Sequence, residues 1–437
     1  MFTLETQSTT VLKPAAMVSR FFRRFIRLGA RVHFVARRLA RRAELLTRGL
    51  TLRKFMNLAS AVARFLLRSE RTAAYPVLAI VDLSPLCNLH CTVCVHAEPG
   101  DNTTLQRQQF HAGQMMSEAD FRRIIDEIKG HTLGVLLYYL GDPLMHPQLA
   151  AFCRIAAEAG LNIHVSTNFS FRLSDEKIRD LISSGVTLLT VCLDGISQEK
   201  YSMTRVGGHL DLVLSNLKRA CEFRRALGQR YPRIEVQYIK FQHNLDDVAE
   251  GQRVCRELGA DQVHELWGWL HNYTDRDPGQ FDVFEPVPDR WLPVCHWPHF
   301  FMLIKYNGDV IPCCAFRLGE QYTGGDARPV GNVFEAGVGA TWQSPEYRQL
   351  RRWVSRPSAI RREPELSKTF CDDCPRLFNT NYTERTCRFA DQYRFEDLYT
   401  IGPNGRPVRR RPATGTESAG APHSEITSPA EGHSPSA

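Results

Sequence analysis

"VLAIVDLSPLCNLHCTVC", residues 77–94, runs from an aliphatic stretch straight into three cysteines within eight positions. VLAIVDL (77–83) reads as a strand, and the cysteines fall in the loop that leaves its C-terminal end. Similar runs recur at GVLLYYLGD (134–142), NIHVSTN (162–168), TLLTVCLDG (187–195), RIEVQYIKF (233–241) and DQVHELWGWL (261–270). Most gaps between them carry helix-period patterns: SEADFRRIIDEIKG with Ser117 as N-cap and Gly130 as stop, LAAFCRIAAEAG, SDEKIRDLISSG and DDVAEGQRVCRELGA. Six β-α repeats predict an α/β fold over residues 76–275, a parallel sheet with right-handed crossovers curved into a full or partial barrel. In such folds the site lies at the C-terminal ends of the strands, where the three cysteines stand.

The whole chain has 437 residues, enough for one large domain or two medium ones, since domains run roughly 100–200 residues. Hydrophobic residues at 43% and charged ones at 23% are ordinary globular proportions. Thirteen cysteines, several in C-x-x-C-like groups and with no signal-peptide core ahead of them, favour metal ligation in a reducing cytoplasm over a disulfide framework. The longest apolar stretches fall short of the about 20 residues that span a bilayer.

The net charge of +8 is unevenly distributed. From Arg20 to Arg71 fifteen Arg or Lys face two acids, Glu44 and Glu70, so this segment carries +13 and the remainder −5. Phe21, Phe25, Leu28, Val32, Val35 and Leu39 recur at three or four residues, which predicts an amphipathic basic helix in an N-terminal extension, 1–75. Such a helix suits an anionic membrane surface at the periphery or packing on its own domain; an acid-poor transit peptide has the same look. Nucleic acid is not expected, because no recognition motif accompanies the charge. At the other end residues 402–437 are Pro, Gly, Ser, Ala and charge with little to bury, and predict a disordered tail.

Four protein thiolates close a metal centre, whereas three on a four-iron cubane leave one iron open. C-x3-C-x2-C in Cys87, Cys91 and Cys94, directly after the first strand of a β-α repeat, resembles the radical S-adenosylmethionine (SAM) enzymes. The resemblance implies a partial (β/α)6 barrel whose three cysteines bind a [4Fe–4S] cluster. Its open iron chelates SAM, and one electron splits the cofactor into methionine and a 5′-deoxyadenosyl radical. A zinc knot wants four ligands, and only His90 and His96 stand near. Val93 departs from the aromatic residue often found before the third cysteine. YYLGDPLMHP resembles the family's glycine-glycine-glutamate-proline segment, with Leu140, Gly141 and Asp142 in the place that receives the cofactor's amino group. VSTNFS resembles the ribose-binding segment, which puts Ser166 and Asn168 there. CLDGISQEKYSMTRVGGHLDLVLSNL resembles the fourth-strand segment, with Asp194 at the strand end and Arg205 facing either the cofactor carboxylate or a structural ion-pair partner.

A second constellation follows the barrel. Cys295, Gly308 in YNGDVIPCC, Cys313, the stretch GNVFEAGVGATWQSPEYRQLRRW and the pair Cys371 and Cys374 resemble a SPASM or shorter twitch extension, placed at 290–395. The resemblance implies one auxiliary [4Fe–4S] cluster closed by four thiolates. A four-cysteine zinc site has the same spacing, and Cys314 is an alternative to Cys313. Cys153, Cys192, Cys221 and Cys255 lie within helix or strand patterns, as buried cysteines do.

The implied reaction is hydrogen abstraction from a substrate carbon, the auxiliary cluster taking up the electron left behind. A flavodoxin- or ferredoxin-type protein is the expected one-electron donor. The single-cluster arrangement points to a small sugar- or cyclitol-like metabolite, oxidised at carbon. A peptide substrate is the alternative, although no leader-binding winged-helix module is visible. A non-catalytic iron–sulfur or zinc protein is the reading from a different class.

Overall fold

The computed structural model describes residues 47–94, 96–97, 113–268, 295–311, 313 and 329–356, together with 43, 281, 399–401 and 407–409. All six expected strands form, as β1 (Leu78–Val81), β2 (Gly134–Leu136), β3 (Asn162–Thr167), β4 (Leu188–Cys192), β5 (Arg233–Lys240) and β6 (Gln262–Trp267). Each pairs in parallel with the next. An N-terminal helix, α1 (Leu52–Leu66), precedes them. Between them run α2 (Glu118–Ile128), α3 (Leu149–Glu158), α4 (Asp175–Ser183), α5 (Gln198–Thr204), α6 (Leu210–Ala226) and α7 (Val248–Glu257). Ser117 caps α2 as expected, its side chain accepting from the Asp120 amide, and the helix stops at Ile128, short of Gly130.

Alternation along the strands separates two faces. Ile163, Val165, Leu189, Val191, Ile234 and Val236 are wholly buried in one apolar cluster with Phe121, Ile124 and Ile128 of α2 and Ile178 of α4. The residues between them, His164, Ser166, Thr190, Cys192, Glu235 and Gln237, therefore point to the opposite, inner face. That face is polar.

The sheet does not end at β1. β7 (Phe301–Ile304) pairs with it in parallel, from Leu78 against Phe301 to Val81 against Ile304, and β8 (Asp309–Ile311) and β9 (Gly331–Asn332) follow antiparallel, giving nine strands in the order β6-β5-β4-β3-β2-β1-β7-β8-β9. One sheet thus runs through the expected boundary between barrel and extension. All four residues of β1 are buried, and β7 covers an edge that would otherwise be open. α8 (Pro345–Ser355) carries Tyr347, Leu350, Trp353 and Val354 into the same core.

The ends differ from expectation in what they reveal. Residues 20–42, with the predicted amphipathic helix, lie outside the described residues. α1 is described: Lys54, Asn57, Ala61 and Phe65 face inward, with Lys54 Nζ donating to Gly160 O at 2.6 Å and Asn57 Nδ2 to Tyr75 O at 3.0 Å. In the tail, Pro407–Arg409 pairs antiparallel with Tyr399–Ile401; the rest of 402–437, where disorder is expected, lies outside the described residues.

Candidate functional site

β1 ends at Val81, and the chain turns through Ser84 and Leu86 into the cysteine loop. Gly141 lies against this turn: a Cβ there would stand 2.2 Å from Ser84 O and 2.3 Å from Leu86 O. Only glycine lets the loops after β1 and β2 approach this closely. The Asp142 amide donates to Leu86 O at 2.8 Å, tying the two loops together.

Cys87, Cys91 and Cys94 stand on this loop, Cys91 buried and the other two half-buried. The loop is strapped to the chain after α5. His90 N donates to Val206 O and Thr92 N to Thr204 O, each at 3.0 Å, and Thr92 Oγ1 donates to Met203 O at 2.8 Å. Burial pushes the Cys91 thiol up to about 12 while the neighbouring Arg205 pulls it down; burial also raises Cys87 strongly. Buried thiols that ionise so reluctantly suit a partner that brings its own positive charge, as iron does. Among the described residues no three His, Cys, Asp or Glu gather closely enough for a single metal ion. The three thiols share one loop and feel one another's charge, as thiols that could ligate one cluster would.

The strand-end residues come together around this loop. Asn168 Nδ2 lies 3.7 Å from Cys87 Sγ and donates to Asn88 Oδ1 at 2.9 Å, while Asn88 Nδ2 donates to Ser170 O at 2.8 Å. Phe169 between them is wholly buried with φ 58°, a left-handed conformation unusual for a bulky residue. The Asp142 carboxylate accepts from Thr167 Oγ1, Leu144 N and Asn168 N at 2.9, 3.0 and 2.7 Å, and burial raises it to about 6. Its oxygens are occupied in joining β2 to β3. Leu140 O accepts from the His96 ring at 3.1 Å. Ser166 Oγ is 3.7 Å from Cys192 Sγ on the inner face.

Asp194 and Arg205 form an ion pair, Nε to Oδ2 at 2.6 Å, with Asp194 wholly buried and its Oδ1 also accepting from Ile239 N at 3.0 Å. Arg205 Nη1 reaches within 3.9 Å of Cys91 Sγ. Arg205 thus has the structural ion-pair partner and also faces the cysteine loop. Sequence reasoning missed Asn88 and Thr92. Asn88 was visible as the polar residue immediately after the first cysteine.

Beneath the mouth the inner face carries a hydrogen-bonded chain. Tyr138 OH lies 3.4 Å from His164 Nδ1, His164 Nε2 lies 2.8 Å from Thr190 Oγ1, Thr190 donates to Glu235 at 3.3 Å, and Gln262 donates to the other oxygen of Glu235. Two surface clefts, lined by Arg122, Asp126, Lys129 and Glu158 and by Asp175, Glu176 and Arg179, lie on the outer helices and contain none of these residues.

Of the second constellation, Cys295 and Cys313 are described and half-buried; Cys371, Cys374 and the alternative Cys314 lie outside the described residues. Arg351 of α8 is wholly buried, donating through Nε to Pro298 O at 2.7 Å and through Nη2 to Trp342 O at 2.6 Å. Among the described residues its Nη1 and the hydroxyl of Tyr347 have no hydrogen-bond partner, and the guanidinium lies over the rings of Trp342 and Tyr347, 4.4 and 5.1 Å from their centroids.

Residues 81–226 match the model of the Radical SAM superfamily, and residues 295–375 match SPASM, an iron–sulfur cluster-binding domain. The chain is 22% identical over 309 residues to the tungsten-containing aldehyde ferredoxin oxidoreductase cofactor-modifying protein of Pyrococcus furiosus, covering 62% of this chain and 82% of that one. Over 212 residues it is 25% identical to the PqqA peptide cyclase of Ruegeria pomeroyi, covering 48% of this chain and 51% of that one, so it spans about half of this relative. The crystal structure of Streptococcus suis SuiB superposes with a TM-score of 0.50 at 16% identity, covering 77% of this chain and 79% of that one, a likeness of fold. Among the described residues no helix is long and apolar enough to cross a membrane.

Proposed function

From the premise that the chain belongs to the radical SAM superfamily and carries a C-terminal SPASM domain, we propose that this enzyme removes hydrogen from a carbon of a polar substrate held inside the barrel mouth. Its cofactors are a [4Fe–4S] cluster, SAM and an auxiliary iron–sulfur cluster. Cys87, Cys91 and Cys94 would hold the first, and Cys295, Cys313, Cys371 and Cys374 would close a single auxiliary [4Fe–4S] cluster. When bound, the first cluster and SAM supply a 5′-deoxyadenosyl radical.

The protein's own residues set the stage for that chemistry. Gly141 and Asp142 lock the cysteine loop against the second strand end. Asn168 and Ser166 offer an amide and a hydroxyl to a ribose, and Leu140 contributes backbone oxygen. Arg205, held by Asp194, turns its remaining guanidinium nitrogens toward Cys91 and toward an anionic carboxylate. The observation that carries the choice of substrate class is the polar part of the inner face over β3–β5, where His164, Thr190 and Glu235, joined to Tyr138, stand in place of the apolar side chains usual in a parallel sheet.

A sugar- or cyclitol-like metabolite and a peptide both meet that face with hydroxyls and amides. The peptide reading gains support from the peptide cyclase among the relatives and from the SuiB crystal structure with its precursor peptide SuiA, which has a TM-score of 0.50. Oxidation at carbon, a flavodoxin- or ferredoxin-type donor and a reducing cytoplasmic location complete the proposal. The test is anaerobic incubation of the reduced, reconstituted chain with SAM and panels of cyclitols and short peptides, reading 5′-deoxyadenosine and product mass. Stimulation by one polar panel, lost in Glu235→Leu, is the expected result. Equal stimulation by apolar compounds would remove the polar-substrate reading.

A further inference from the structure

α1 is built with its polarity turned round. Its inward face carries Lys54 and Asn57, both engaged with backbone oxygens of the barrel. Its outward face carries Leu52, 77% exposed, Phe55 at 48% and Met56 at 59%; Ala59 and Ala63 continue the strip, and Leu67, just past the helix, is 79% exposed. Positions 52, 55, 56, 59 and 63 follow the i, i+3, i+4 spacing, so the strip lies on one side of the helix, opposite the buried one. Leu50 is exposed just before it. Of the seven large hydrophobic residues exposed among the described residues, five belong to this helix and its flanks.

Charge decides what covers the strip. Exposed Arg53 and Arg64 run along one edge, and the chain from Arg20 to Arg71 has fifteen basic residues against two acids. A second copy would bring the same charge. The strip is also only about 22 Å long and about 10 Å wide, far below the roughly 800 Å² per partner of a stable interface. An anionic lipid surface answers both features: headgroups meet the arginines, and the acyl boundary takes Leu52, Phe55 and Met56.

We propose that α1 is a membrane-docking helix that holds the enzyme on an anionic lipid surface. The geometry also fixes the orientation. α1 contacts Gly160, Tyr75 and His131, all just before strands begin, and Phe65 packs edge-on to His299 and Phe300 ahead of β7. It therefore closes the end of the barrel opposite the cysteine loop, and a docked enzyme has its mouth turned away from the bilayer.

The test uses the full-length reconstituted protein with vesicles of phosphatidylcholine alone or mixed with phosphatidylglycerol. Wild type should sediment with the anionic vesicles only and be released as salt rises. Leu52→Ser/Phe55→Ser/Met56→Ser, altering only exposed side chains, should bind about tenfold or more weakly at unchanged iron content and circular dichroism. Arg53→Gln/Arg64→Gln, with the strip intact, should lose part of the preference for anionic lipid. Docking by this face is overturned if the triple variant sediments like wild type, if neutral vesicles bind equally, or if neither binds. It is also overturned if sedimentation velocity shows a dimer that the triple variant abolishes.

Discussion

Asp82, just after β1, is 1% exposed, and among the described residues its Oδ2 has no hydrogen-bond partner. Burial raises it to about 7, against the pull of the Leu140 and Gly141 amides and of Lys305. An acid with a raised folded pKa binds more protons folded than unfolded, so its contribution to stability is complete below about pH 4 and is lost as pH rises through about 7. Asp142, raised to about 6, acts in the same direction. The cluster-free chain should therefore show a falling urea midpoint between about pH 4 and about pH 7, and Asp82→Asn should flatten that slope without abolishing it; an unaltered slope refutes the assignment. The thiols give a second prediction at this scale. Replacing Cys87, Cys91 and Cys94 together by Ala should remove about four irons per chain and end 5′-deoxyadenosine formation. Unchanged cleavage in the triple variant would dismiss the ligand assignment. The C-x3-C-x2-C spacing made these residues readable before any coordinates. The saturation of Asp142 was not readable, because its partners Thr167 and Asn168 lie about 25 residues on in the chain and meet it only across the sheet.

Between elements, the loops after β1 and β2 share one constraint at Gly141. Gly141→Ala would drive a methyl into Ser84 O and Leu86 O, which are backbone atoms that cannot swing aside. Overpacking of this kind costs about 1–3 kcal/mol, and here the displaced atoms carry the cysteine loop. Lower iron occupancy alongside a lower urea midpoint is the expected pair of results, and a variant with full iron and wild-type stability would show that the loops separate freely. Much at this scale was legible. NIHVSTN, TLLTVCLDG and RIEVQYIKF alternate apolar with polar residues, a period of two that marks His164, Thr190 and Glu235 for one face. A parallel strand buried in apolar surroundings on both sides would read as continuously hydrophobic. The hydrogen-bonded chain those residues form was not legible, since it depends on register between strands.

Across the molecule, the sheet that runs from β6 through β1 into β7, β8 and β9 makes the extension part of the barrel's own wall. That closure was invisible in the sequence because FMLI at 301–304 is four residues long and finds its partner more than 200 positions earlier. It also places the auxiliary cysteines. β8 runs antiparallel to β7 and so to β1, which takes the chain away from the mouth before it reaches Cys313, whereas Cys87 follows the mouth end of β1. Cys313 in that position would serve an electron path while standing apart from substrate, and a cluster closed by four thiolates, as proposed, would have no iron left for SAM. Replacing Cys371 and Cys374 together should accordingly leave a measurable part of the SAM cleavage while stopping substrate oxidation. Loss of a metal centre also removes folding free energy, so circular dichroism and an iron count must accompany the assay. A folded double variant that lacks the auxiliary iron and still turns over substrate fully would show the site to be structural and would overturn its role as electron acceptor.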